Sequence, residues 1–173
     1  PGERVIEIHD TAPDVTVQPV EYIRLLGYPR GWILQDRARE LADWARDWYS
    51  THGRPWVFAR EASELQIGDD AIVMDGVAFN SARVRNTFHA AGAHSAILLA
   101  ASAGPELEKE AQARWRDGKP DEYFFLEVYG SAVVEHLVTM TGARLCAWAD
   151  GVSLAVLPHY SPGYPDWNID EQG

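Results

Sequence analysis

The chain of 173 residues has a formal net charge of −11, and 46% of its residues are hydrophobic. This length fits one domain, or two small lobes at most. The acidic balance argues against nucleic acid as a partner, because phosphate binding needs clustered lysine and arginine. The single cysteine excludes an internal disulfide and indicates a reducing compartment. No apolar run approaches the ~20 residues that span a bilayer, and no signal peptide is visible. We therefore expect a cytoplasmic protein that does not bind membranes.

The first third of the chain predicts one strand and two helices. Residues 4–9 alternate as a short strand does. Thr16 as N-cap and Pro19 in the first turn predict a short helix that Gly27 closes. Residues 32–53 form the clearest amphipathic helix pattern. Its apolar face carries Leu34, Ala38, Leu41, Ala45 and Trp48.

The middle of the chain alternates strands and helices. Residues 55–59 and 71–81 read as strands, and the second folds at Asp75-Gly76 into a hairpin. Residues 81–92 predict a short helix capped by Asn80 or Ser81. The continuous apolar run "HSAILLAASAG" suits a central strand buried on both faces.

The last part predicts two helices and a final strand. A helix begins at Pro105, and a long helix follows over about residues 121–140. The final strand, "LAVLP", covers residues 154–158. This order predicts an α+β fold: one domain over residues 1–173 with a twisted, mainly antiparallel sheet flanked by helices.

The long helix has an unusual polar face. Glu127, Ser131 and Glu135 are four residues apart and share one side. The predicted packing face carries Phe125, Tyr129, Ala132, His136 and Met140. A solvated acidic edge explains the polar face simply, but Glu135 lies among valines, which favours a partner such as an ammonium group.

Other motifs are absent from the sequence. The six histidines have no metal-ligand spacing, and no Gly-rich dinucleotide motif, P-loop or nucleophile elbow is present. Cys146 lies in the apolar stretch "RLCAWA" and is interpreted as a packed thiol. We therefore predict neither a metal site nor a catalytic side chain, although general acid–base chemistry stays open.

An aromatic, proline-rich segment follows the predicted final strand. "PHYSPGYPDW", residues 158–167, holds three prolines, a glycine and the three aromatic residues Tyr160, Tyr164 and Trp167. Such a segment cannot pair as a central strand, because proline removes a backbone donor. We interpret it as an extended, stiff, aromatic-lined ribbon; a rigid turn between elements is the alternative.

Two segments together resemble a known family. "ILLAASAGPELEKEAQARWRDGKPDEYFFLEVYGSAVVEHL" followed by "HYSPGYPDWNIDEQ" resembles the activation, or S-adenosylmethionine-binding, domain of cobalamin-dependent methionine synthase, and most closely its small stand-alone relatives. The similarity covers most of the chain, and it implies the fold of that domain. Relative to the family pattern, the C-terminal part is missing after Gly173.

The resemblance implies a role for each matching position. The S-P-G-Y ribbon would lie beside S-adenosylmethionine, with binding residues His159, Ser161, Pro162, Gly163 and Tyr164. Glu135 would receive the methionine ammonium group. Glu127, Ser131 and Ser102 are further candidates near the same ligand.

The implied function is the reductive methylation, and so the reactivation, of a cobalamin carried by another domain or corrinoid protein. A flavodoxin-like or other reductant would supply the electron, and this chain would act mainly by positioning the methyl donor. Two departures bear on this. His159 stands where the family has an arginine that clamps a carboxylate, and "ASAG" replaces the family's ATLG. A divergent enzyme with another ligand and a non-catalytic docking domain therefore stay open as alternatives.

Overall fold

Residues 6–172 are described by a computed structural model, and they divide into two compact units. The first unit comprises residues 6–8, Ala59–Leu99 and residues 145–172, and the second comprises His9–Phe58 and Ala100–Arg144. The start of the predicted strand over residues 4–9 and the terminal Gly173 lie outside the described residues. The single domain over residues 1–173 stays a prediction.

The described chain alternates strands and helices, which confirms the α+β class. The elements are β1 (Glu7–Asp10), α1 (Pro19–Leu25), α2 (Asp36–His52), β2 (Trp56–Glu61), β3 (Leu65–Ile67), β4 (Ile72–Met74), β5 (Val77–Phe79), α3 (Ala82–Ala91), β6 (Ile97–Ser102), α4 (Pro105–Arg116), α5 (Pro120–Gly151) and a 3₁₀ turn (Ile169–Gln172). The strands form two three-stranded sheets, in the orders β1-β2-β6 and β3-β4-β5. The expectation of one sheet is therefore replaced by two small ones.

The first unit contains the predicted hairpin. β3, β4 and β5 are antiparallel, and Asp75-Gly76 joins β4 to β5 as predicted. Ile72 and Met74 on β4 are buried, since alternate residues of a strand point to the same face. A hydrophobic cluster forms around them with Ala62, Val84, Ala96 and Trp167.

The second unit has an aromatic centre. The Tyr49 hydroxyl on α2 donates to the Ala103 carbonyl at 2.8 Å, and the Tyr22 hydroxyl on α1 donates to the Phe125 carbonyl at 2.7 Å. Both rings pack against Tyr129 of α5. Burial raises the pKa of Tyr22 and of Tyr49 above the usual tyrosine value, so both hydroxyls stay neutral donors.

Two strand predictions are wrong. Among residues 6–172, β6 ends the order β1-β2-β6, so it is an edge strand with one neighbour there. Its residues are half-buried or exposed rather than buried on both faces. Residues 154–158 form no strand, and Leu154 and Val156 are exposed there. Ser153, just before this segment, has a positive φ of 61°, which breaks a continuous extended path.

The helix predictions need four corrections. α5 continues past Met140 to Gly151, because its buried face repeats every four residues at Leu137, Thr141, Leu145 and Ala149. Met140, expected on the packing face, is therefore exposed.

The prediction that Cys146 is a packed thiol is also wrong. Cys146 directly follows buried Leu145 on α5, and its own side chain is exposed. At α1, Gln18 rather than Thr16 occupies the N-cap, and its side chain makes no capping bond. The predictions for the starts of α3 and α4 are confirmed: Ser81 accepts the Val84 N–H, and Pro105 begins α4.

Candidate ligand-binding loop

Residues 159–167, here called the aromatic loop, form consecutive turns. The Tyr164 N–H donates to the Ser161 carbonyl at 3.1 Å, and the Trp167 N–H donates to the Tyr164 carbonyl at 3.0 Å. The Gly163 N–H in turn donates to the Trp167 carbonyl at 2.9 Å. The predicted extended ribbon is therefore wrong for this part, because the backbone folds back on itself and satisfies its own polar groups.

The backbone conformation of the loop requires glycine at position 163. The φ of Gly163 is +90°, a conformation that residues with a side chain rarely adopt. A Cβ atom at this position would lie 2.7 Å from Cδ1 of Ile169. The space that we expected a ligand to use at Gly163 is thus taken by the Ile169 side chain.

The aromatic side chains of the loop form an inner and an outer layer. Trp167 is buried and contacts Phe79 edge-on at 5.8 Å between ring centroids, while Tyr160 stacks on Trp167 at 6.1 Å. Tyr164 packs edge-on against Tyr160 at 5.1 Å and remains 44% exposed. His159 is exposed, with Nε2 3.4 Å from the Tyr164 hydroxyl. The loop therefore presents a tyrosine and a histidine to solvent on a buried aromatic base.

Glu171 fastens the loop to the start of α3. Its carboxylate accepts the Trp167 indole N–H at 3.0 Å, the Asn80 backbone N–H at 2.9 Å and the Asn80 side-chain amide at 3.1 Å. These bonds, the backbone N–H of Asn80 first, lower the pKa of Glu171. Sequence reasoning did not identify this contact, because Asn80 and Glu171 are 91 residues apart.

We expect Glu171→Gln to make the stability of the protein less sensitive to acid. The folded pKa of Glu171 lies below its unfolded value, so its contribution is complete above the unfolded pKa of about 4.3 and is lost as the pH falls through the folded pKa. An amide does not titrate, which removes this contribution. Thermal unfolding between about pH 6 and pH 2 should show a smaller fall in Tm for the variant than for the wild type.

Glu64→Gln is the matched control, since the Glu64 side chain is exposed in the same unit. It should follow the wild-type profile. Parallel profiles for wild type and Glu171→Gln would show that the carboxylate does not fasten the loop.

Glu135 has a partner within the chain. Its carboxylate is about half exposed and lies 2.9 Å from the Arg24 guanidinium, which also pairs with Glu21. Successive residues of a helix are about 100° apart around its axis, so Val133, two positions earlier, points to nearly the opposite side and is buried while Glu135 faces solvent. Arg24 therefore supplies a cationic partner for Glu135 within the chain, and a contact with a ligand ammonium group stays an expectation.

The further candidates have internal contacts as well. Burial, with the nearby Glu108 charge, raises the pKa of half-buried Glu127. The Ser131 hydroxyl donates to the Glu127 carbonyl at 3.3 Å, and the Ser102 hydroxyl accepts the Gly104 N–H at 3.0 Å. The predicted binding residues divide between the units: Ser102, Glu127, Ser131 and Glu135 belong to the second, and residues 159–164 belong to the first.

Two searches of residues 6–172 bear on other kinds of site. No group of three or more His, Cys, Asp or Glu side chains in this range is placed to hold a metal ion. No helix in the same range is both long and apolar enough to cross a membrane.

Comparisons with known proteins do not assign a family. No model of a protein family matches this chain, and no curated protein matches it. The resemblance to the methionine synthase activation domain therefore stays a prediction. The aromatic loop, as a pre-shaped and partly exposed aromatic surface, is the feature on which a functional proposal can be built.

Proposed function

We propose that this protein binds S-adenosylmethionine at the aromatic loop and presents its methyl group for the reductive methylation of cobalamin. The cobalamin would be carried by a methionine synthase or another corrinoid protein, and a flavodoxin-like or other reductant would supply the electron. The observation that carries the proposal is the exposed Tyr164 ring beside His159, supported by half-buried Tyr160 and buried Trp167.

This surface suits the chemistry of the ligand. Adenine stacks on aromatic rings, and such stacking contributes about 1–3 kcal/mol per base. The sulfonium of S-adenosylmethionine is a cation, which the face of a tyrosine ring attracts. The net charge of −11 also favours the approach of a cationic ligand.

The loop is held in place before any ligand arrives. Its turn hydrogen bonds, the buried Trp167 and the Glu171 contacts fix its backbone. A pre-shaped surface loses little conformational entropy on binding. Because methyl transfer needs the donor in a defined orientation, positioning of this kind is the contribution that we assign to the chain. The ammonium contact of Glu135 stays an expectation from the resemblance.

We expect Tyr164→Ala to weaken the binding of S-adenosylmethionine by about 5- to 150-fold, which corresponds to the loss of one stacking contact. Isothermal titration calorimetry on the wild type and the variant measures this. Phe124→Ala is the matched control, since Phe124 in the second unit is 46% exposed, close to the 44% of Tyr164.

The control should bind as the wild type does, and both variants should keep the wild-type melting curve. Absence of heat when the wild type is titrated with millimolar S-adenosylmethionine would contradict the proposed function. An unchanged affinity of Tyr164→Ala would remove the aromatic loop as the site.

A second candidate function is the binding of a different small molecule on the same surface. The specific observation is His159, which stands at the family's arginine position and contacts the Tyr164 hydroxyl. A neutral imidazole can accept a hydrogen bond at one ring nitrogen and donate one at the other, whereas a guanidinium can only donate. A thermal-shift screen of adenosyl compounds and corrinoids separates the two functions, because the true ligand raises Tm by mass action.

A further inference from the structure

Arg83 places a positive charge against the aromatic loop. It is the second residue of α3, and its guanidinium carbon lies 5.1 Å from the centre of the Tyr160 ring. The side chain is exposed. A guanidinium stacked on an aromatic face keeps the N–H groups at its edge free to bind other groups.

This charge has no counterion in the part of the chain that the structure describes. Several arginines elsewhere pair with carboxylates, as Arg60 does with Asp75 and Arg24 with Glu135. Within residues 6–172, no Asp or Glu forms an ion pair with Arg83, although the sequence contains 26 acidic residues. α3 itself carries none of them.

The guanidinium lies next to the residues that form the outer layer of the loop. The Tyr160 ring beneath it is 5.1 Å from the Tyr164 ring, and the Tyr164 hydroxyl lies 3.4 Å from Nε2 of His159. Arg83 and His159 therefore both contact the packed pair of rings, Arg83 at Tyr160 and His159 at Tyr164. A ligand that covers the exposed Tyr164 face comes close to an unneutralised guanidinium.

We propose that Arg83 binds the carboxylate at the amino-acid end of the ligand. The inference rests on the proposed function, in which the aromatic loop binds S-adenosylmethionine. The planar guanidinium can donate hydrogen bonds from its edge to both carboxylate oxygens while its face stays on Tyr160. Arg83 then determines specificity for a ligand that carries a carboxylate, and α3 supplies the fixed positive charge that the loop lacks at His159.

The test compares two ligands that differ only in this group: S-adenosylmethionine and its decarboxylated form. Calorimetry is performed on the full chain as wild type, Arg83→Gln, Arg83→Lys and Arg39→Gln. Arg39 is exposed on α2 in the second unit, so its replacement removes one positive charge away from the loop.

We expect the wild type to prefer S-adenosylmethionine over the decarboxylated form by about 10- to 100-fold, the range that a charge-assisted hydrogen bond provides. Arg83→Gln should abolish this preference by weakening only the binding of the carboxylated ligand. Arg83→Lys should retain part of it, because lysine keeps the charge but not the planar fork. Arg39→Gln should bind both ligands as the wild type does.

The outcomes separate the two proposals. Equal affinity of the wild type for both ligands, or an equal loss for both in Arg83→Gln, overturns the role of Arg83 and leaves the binding function intact. Binding of neither ligand by the wild type overturns the function and this inference together. A thermal melt of each variant identifies loss of folding, and the wild-type comparison of the two ligands does not depend on any variant.

Discussion

Gly104→Ala is expected to destabilise the fold by about 2–6 kcal/mol. Gly104 precedes α4 with a φ of +98° and a ψ of 146°, close to a region that essentially only glycine adopts and that costs a residue with a Cβ about 1–3 kcal/mol. The added Cβ would also lie 2.6 Å from the Arg54 carbonyl oxygen, which belongs to backbone and cannot rotate away. Displacing packed backbone in this way costs about a further 1–3 kcal/mol. Urea unfolding followed by circular dichroism measures the change.

Gly118→Ala separates these two causes. Gly118 also has a positive φ, +72°, but no atom lies within 4 Å of the added Cβ. It should cost only the backbone strain of about 1–2 kcal/mol. If the two variants lose the same stability, the close approach between Gly104 and Arg54 is not a real constraint.

The fold was predictable where the signal is local. Asp75-Gly76 between two apolar runs identifies a hairpin, and Ser81 and Pro105 identify the starts of α3 and α4. Each of these depends on the backbone preference of one or two residues. The structure confirms them for that reason.

The wrong predictions concern elements that depend on distant partners. An apolar run such as that of β6 has the same appearance at the centre or the edge of a sheet, since the sequence does not state how many strands lie beside it. Residues 154–158 have strand composition but no strand ladder in the described chain. The extension of α5 did leave a local signal: Thr141, Leu145 and Ala149 continue its four-residue period past Gly142.

In the candidate site, too, the features with a local sequence signal were predicted and the contacts between distant residues were not. The aromatic composition of residues 159–167 indicated a stiff surface, and the structure shows turns on a buried tryptophan. The contacts that define its charge could not be predicted, because Arg83 and Glu171 reach the loop from distant parts of the sequence. Likewise Arg24, 111 residues before Glu135, gives that carboxylate an ion-pair partner that no local pattern indicated.

Trp167→Ala is expected to have the largest effect on the first unit, a loss of about 3–5 kcal/mol in the free energy of unfolding. The indole is buried in the cluster of Ile72 and Met74, and it supports Tyr160 from below. Its N–H also donates to Glu171, so truncation removes one of the bonds that fasten the loop. Because the outer layer rests on this ring, binding of S-adenosylmethionine should weaken even at temperatures where the variant is folded.

Two controls show which property of Trp167 matters. Trp167→Phe retains an aromatic ring and removes the indole N–H, so it should cost less than the alanine variant and keep most of the ligand affinity. Trp115→Ala truncates a tryptophan that is 58% exposed and should change stability by no more than about 0.5 kcal/mol. A loss below about 1 kcal/mol for Trp167→Ala would mean that the indole is not a packed base. The exposed Tyr164 and His159 would then have no fixed support. A pre-shaped binding surface could no longer be cited in favour of the proposed function.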